Sequence, residues 1–177
     1  MARVDVNQIE LFEAVLAHLR TTLSLDERSC YSVVDRHSPG LPHSGDFWVT
    51  LSLGSQSEFD DTLIDGGGIE QVTEFVPLIV AGYSRVKLDS TGHDHFLLTD
   101  DARGLLAIKK LILRTMTCED IKCNNDTSTF LRNLPIPASA ENPQLLRPAN
   151  DADAAWGIGM VSVTFTCVFD WDLSPDP

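Results

Sequence analysis

The residues best suited to chemistry are the histidines. The chain holds five, and four of them fall in two short clusters, His93-Asp94-His95 and the group Asp35, His37 and His43. On a strand, His-x-His places both rings on one face, a workable pair for a divalent metal. His37 or Asp35 would supply a third ligand, with a fourth position left open for a water that the metal activates. Both clusters also lie beside turn-forming residues, Gly92 on one side and Pro39 and Gly45 on the other. Solvated loop histidines occupy the same kind of sequence, and ligation requires a fixed third ligand and a second shell. The residues favour polar loops, so no metal and no cofactor is expected. A metal-dependent enzyme using His93, His95 and His37 (or His43) is the alternative.

Other chemistry finds less support. No Gly-x-Ser-x-Gly elbow is present, and Gly66-Gly67-Gly68 lacks the Lys-Ser/Thr ending of a phosphate loop. Cys30 has no base beside it and no electropositive setting, so it reads as structural. Cys118 and Cys123 are spaced more widely than a zinc knuckle, with no second pair after them. Cys167 falls among apolar positions, where a thiol behaves as a small hydrophobe. Asp60-Asp61 would point to opposite faces of a strand, and Asp100-Asp101 suit a helix start. The expectation is a protein without catalytic residues.

The elements that must carry these residues follow from periodicity. Phe12, Val15, Leu16, Leu19 and Leu23 recur at helical spacing, which predicts a first helix over residues 9–23, capped by Asp5 or Asn7. A short strand is expected within 30–34. Phe47, Val49, Leu51 and Leu53 alternate with Trp48, Thr50 and Ser52 and end at Gly54, a strand. Residues 55–68, with Glu58, Phe59, Asp60 and Asp61 before three glycines, read as a flexible acidic hairpin loop. Residues 69–88 form a long strand region, in which Pro77 requires an edge position or a bulge. A second helix carries Leu105, Ile108, Leu111, Ile112 and Thr115 as its stripe, with Lys109, Lys110 and Arg114 towards its end. Residues 117–155, with four prolines and Phe130, have no sustained period and read as a long irregular arm. From Val161 to Trp171 alternation is unbroken, a closing strand over 158–171. The sum is one α+β domain over residues 1–177: a mainly antiparallel sheet, two helices packed on one face, and long irregular loops.

Composition bounds the partners. Thirteen basic residues stand against 26 acidic ones, a formal net charge of -13. Phosphate-gripping surfaces depend on Lys and Arg, so tight nucleic-acid binding is not expected. A surface that DNA passes without sticking is compatible with the charge. The longest apolar run, residues 75–81, is strand-sized and gives no membrane span. The first residues carry an early acid and no apolar core of a secretory signal, so a cytoplasmic setting is expected. Aromatic residues outside the alternating faces, Trp48 and Trp156, are candidates for protein contact, together with Glu58, Phe59, Asp60, Asp61 and Phe130. For Trp48 a sheet covered on both sides is the competing explanation.

The order of elements resembles the tail terminator (tail completion, or minor tail U-like) proteins of long-tailed bacteriophages. The resemblance rests on the first helix, on Phe47-Trp48-Val49-Thr50-Leu51-Ser52-Leu53-Gly54, on Glu74-Phe75-Val76-Pro77-Leu78-Ile79-Val80, on the helix over 105–116, and on the closing strand with its Phe169-Asp170-Trp171-Asp172 ending. It covers most of the chain as texture, without a diagnostic motif. It implies a structural virion protein, assembled in the host cytoplasm, that forms a homo-oligomeric ring, commonly a hexamer. Such a ring caps the tail tube at its head-proximal end, meets a head-closure or other neck protein, and lets DNA through. Other phage neck subunits, head-closure or head–tail adaptor proteins, share this size and texture and form the nearer alternative. The family's pattern does not require an arm as long as 117–155.

Overall fold

The computed structural model describes residues 8–33, 47–64, 68–87, 104–117, 121, 136–146 and 156–172. In chain order these form α1 (Gln8–Leu23), β1 (Cys30–Ser32), β2 (Phe47–Leu53), β3 (Glu58–Ile64), β4 (Gly68–Lys87), α2 (Leu105–Thr117), β5 (Ile136–Ala140), β6 (Gln144–Leu146) and β7 (Trp156–Asp172). The fold is α+β: seven strands join in one mixed sheet, ordered β1-β2-β4-β7-β5, with β3 also on β4 and β6 also on β7. All pairings are antiparallel except β1 with β2.

Two long strands form the spine. β4 and β7 pair from Gln71↔Asp172 to Lys87↔Trp156 without a shift in register. β2 and β3 follow one another along the other flank of β4, β2 opposite residues 78–84 and β3 opposite 68–75. Pro77 lies at the break between them. In an antiparallel strand the nitrogen and carbonyl of one residue face the same neighbour. The Pro77 carbonyl accepts from the Gly54 amide at 2.7 Å, so its nitrogen, which has no hydrogen to give, faces the point where β2 ends. A proline in the middle of a 20-residue strand therefore forfeits one bond at a place where the ladder already changes partner. The sequence demand for an edge or bulge is met on one flank only. Gly54 is needed there because a Cβ would lie 2.9 Å from Pro77 Cβ.

The main core lies between the helices and one face of the sheet. Val49 and Leu51, Val76, Leu78 and Val80, and Val161, Val163, Phe165 and Cys167 bury against Leu11, Val15 and Leu19 of α1 and Leu105, Ile108, Ile112 and Met116 of α2. The stripe expected on the second helix needs one correction. Leu111 is 40% exposed, and Met116 takes the place given to it. Leu111 lies at the margin of the arc defined by Ile108, Ile112 and Thr115, outside the contact with the sheet. The other face is buried as well, through Trp48, Thr50, Ser52, Ile79, Ala81, Tyr83 and Ser162.

Local chemistry sets the end of α1. Ser24 has φ 53°, the left-handed turn that reverses the chain, with Leu25 N–H bonded to Arg20 O at 2.9 Å and Ser24 N–H to Thr21 O at 3.3 Å. The Asp26 carboxylate accepts from the Ser29 amide at 2.8 Å. Hydrogen bonds from the Ser29 side chain and backbone hold that carboxyl below its ordinary value. Arg20 Nε then donates to Cys30 O at 2.9 Å, joining α1 to β1. His18 Nε2 donates to Thr115 O at 3.0 Å, joining α1 to the last turn of α2.

Two stretches read as irregular contain strands. Half of residues 55–68 is β3, so the hairpin is a paired ribbon rather than a loose loop. Its Glu-Phe-Asp-Asp start carries no alternating apolar signal, although Thr62, Leu63 and Ile64 have strand propensity. Within 117–155, β5 and β6 pair with β7 as short edge pieces. β5 is exposed throughout, so burial leaves no alternation to read, and Pro137 is tolerated because the strand is an edge.

Candidate functional site

The metal alternative falls outside what can be placed. Asp35, His37, His43, His93 and His95 all lie outside the described residues, as do Cys118 and Cys123. Among the described residues no group of three His, Cys, Asp or Glu side chains is arranged to hold a metal ion. Cys30 and Cys167 are buried in the core, and neither is in a disulfide. No described helix is long and apolar enough to cross a membrane.

Of the residues expected at a protein contact, Trp48 is corrected by its burial. It is 4% exposed, and its ring stacks on Tyr83 with centroids 5.2 Å apart and planes within 4°. Register explains the pair, since Trp48 and Tyr83 lie directly opposite on β2 and β4. Tyr31, Leu146, Ile158 and Met160 pack around it. The sheet is covered on both faces, so an aromatic residue opposite the main core is buried anyway. Trp156 opens β7 opposite Lys87. Phe130 lies outside the described residues.

The aromatic stack carries a polar defect. Trp48 Nε1 and Tyr83 Oη are buried without a hydrogen-bond partner among the described residues, as is Ser84 Oγ. Burial pushes the Tyr83 phenol up, while the nearby Thr50 hydroxyl, short of hydrogen-bond geometry, pulls the other way. An unmet buried hydroxyl costs its desolvation without return. Tyr83→Phe keeps the ring stack and removes the unmet group. It should therefore leave stability unchanged or raise it by about 1 kcal/mol, read as a shift in the urea midpoint. A loss above about 1 kcal/mol would show that the hydroxyl is satisfied.

β3 behaves differently. Glu58 and Phe59 are both exposed, Phe59 at 61%. Asp60 and Asp61 continue the same strand, opposite Thr73 and Val72. Among the described elements, β3 makes extensive contacts with β4 alone. A length comparison explains why. The 20 residues of β4 extend about 65 Å, whereas the 13 residues of α2 cover about 20 Å. The sheet outruns its helical layer, and the β3–β4 hairpin with the end of β7 forms an arm beyond it. On the opposite side of the sheet β5 pairs only with β7, and Ile136 is 59% exposed.

Sequence reasoning missed a second surface. On α2, Leu106, Lys110 and Arg114 are exposed and spaced by four residues, so they line one face, with exposed Leu111 beside them. The detectable signal was the charge of the helix, which carries Lys109, Lys110 and Arg114 and no acid. The sequence reading used those cations only as partners for the helix dipole.

These surfaces offer attachment by side chains and strand edges. No protein-family model matches this chain, and no curated protein matches it by sequence.

Proposed function

We propose that this chain is a ring-forming structural subunit of a phage tail terminator, placed at the head-proximal end of the tail. One observation carries the reading: the sheet runs on into an arm that neither helix covers, and its outer strands, β3 and β5, are unlike one another. A monomer gains little from a projecting hairpin with an exposed phenylalanine, because such edges invite pairing with other chains. A subunit whose two contact surfaces differ associates head to tail, and head-to-tail contacts close into a ring when the rotation per step divides a full turn. The resemblance in element order supplies the class of ring and its order of six. In this reading the partners are further copies of the chain, the tail tube below and a head-closure or other neck protein above. The net charge of -13 suits a lumen through which DNA slides without being held.

Sedimentation of the purified chain, alone and with tail tubes, tests this. The expected species is a closed oligomer with six times the 19.5 kDa subunit mass, bound to tube ends. A chain that stays at 19.5 kDa at every concentration, with tubes present, overturns the proposal.

A further inference from the structure

Resting on the ring reading above, we infer that the contact between neighbouring copies is the acidic β3 arm of one subunit seated on the basic outer face of α2 of the next. The two surfaces match in charge and in apolar content. β3 reads Glu-Phe-Asp-Asp-Thr-Leu-Ile, with three acids and no base. α2 reads Leu-Leu-Ala-Ile-Lys-Lys-Leu-Ile-Leu-Arg-Thr-Met-Thr, with three bases and no acid. In a chain of 13 bases and 26 acids, a helix with an unmixed positive charge is out of keeping with its surroundings.

Each surface also exposes the apolar anchor that a stable contact requires. Phe59 is 61% exposed on the arm, and Leu106 and Leu111 are 37% and 40% exposed on the helix. An aromatic anchor entering an apolar patch rimmed by charge is the usual anatomy of a specific interface. The two surfaces are separate in one subunit. Among the described elements, β3 makes extensive contacts with β4 alone, and α2 packs on β4 and β7. Among the described residues the arm folds onto no such patch, and a neighbour supplies one. Because arm and helix are different surfaces, the contact is head to tail, as a ring needs. The occupant that fits is a second copy of this chain, since the chain itself carries the complementary acidic segment.

Charge reversal gives the test. Lys110→Glu with Arg114→Glu should weaken assembly by about tenfold or more, since like charges then meet across the contact. Glu58→Lys with Asp60→Lys should do the same from the other side. All four substitutions in one chain restore opposite signs and should restore the oligomer, measured by sedimentation. Phe59→Ser should weaken assembly with charges intact, and raised salt should weaken the unaltered protein. Glu58, Phe59, Lys110 and Arg114 are exposed, and circular dichroism checks that each variant is folded.

Three outcomes overturn the inference. If either reversed pair assembles as the unaltered chain does, the contact is elsewhere, while the ring reading stands. If each pair abolishes assembly but the four-substitution chain does not recover, the helix does not meet the arm. If the unaltered protein binds a fluorescent DNA duplex and Lys110→Glu/Arg114→Glu removes that binding without touching assembly, the helix is a nucleic-acid surface. An unaltered chain that never leaves the monomer overturns the ring reading itself.

Discussion

Gly82→Ala should lower the unfolding free energy by about 1–3 kcal/mol, and Gly82→Val by more. Gly82 stands on the helix side of β4, between Val49 of β2 and Val161 of β7, where α2 crosses the sheet. A Cβ at this position would collide with Ile108 Cγ2 and lie 3.0 Å from Ile112 Cδ1. Ile108 is fully buried, and its Cγ2 sits one bond from Cβ. It moves only if χ1 leaves its well, which a β-branched side chain in a helix strongly resists. The alternative is for α2 to lift away from the strand, loosening Ile112 and Met116 together. Against this, alanine has less unfolded-state freedom than glycine, a gain of about 0.4–1 kcal/mol. The clash wins because Ile108 Cγ2, the nearer of the two atoms, is held by χ1, even though Ile112 Cδ1 is a chain end that can turn aside.

Denaturant unfolding followed by tryptophan fluorescence measures the loss, which is a large share of the roughly 5–15 kcal/mol available to a domain. Combining Gly82→Ala with Ile108→Ala should cost less than the sum of the two single changes, because the new methyl enters the space that the isoleucine vacates. Strict additivity would show that the helix does not bear on this glycine.

The second large effect is an alkaline loss of stability centred on Cys30. The thiol lies in the main core with no exposed surface, and burial pushes it up from 9.0 to about 11, against a smaller opposing pull from Arg20. A thiol is neutral while protonated, so the folded chain holds its proton to higher pH than the unfolded chain does. Below about pH 9 both states are protonated and the contribution is complete. As pH rises further, the unfolded state gains by ionising, and stability falls until the folded thiol ionises near pH 11. Two units of difference correspond to about 2–3 kcal/mol.

The urea midpoint should therefore drop between pH 8.5 and 10.5, and the drop should be smaller in Cys30→Ala, whatever that variant loses at neutral pH through its cavity. Equal slopes in the two proteins would remove Cys30 as the cause. Burial raises the Tyr31 and Tyr83 phenols as well, so a residual slope belongs to them and lies above pH 10.

Much of the fold was legible because periodicity reports burial. β2 was read with its observed ends, and the helical stripe of α1 predicted Leu19 and Val15 in the core. The parts that were not legible share a cause. β3 and β5 are strands by pairing rather than by burial, and strands without a buried face leave no alternating trace. The arrangement of the histidine clusters falls outside the described residues, and the candidate contact surface was only half visible. Glu58 and Phe59 were singled out and are exposed, while the α2 face was passed over because its cations had a sufficient local explanation.

Sequence by itself determined the α+β class, the two helices, the closing strand and the net charge of -13. These follow from local pattern and from sums over residues. Tertiary structure alone decided that Trp48 is a stacking partner of Tyr83, that Pro77 sits where β2 gives way to β3, and that α2 rests on Gly82. It also decided that the sheet outruns its helices and leaves an acidic arm and a basic helix face on separate surfaces of the chain. The physical reason is that each of these depends on which residues meet across strands and layers, and on how far a strand extends past a helix of fewer residues. Spacing along the chain carries neither quantity.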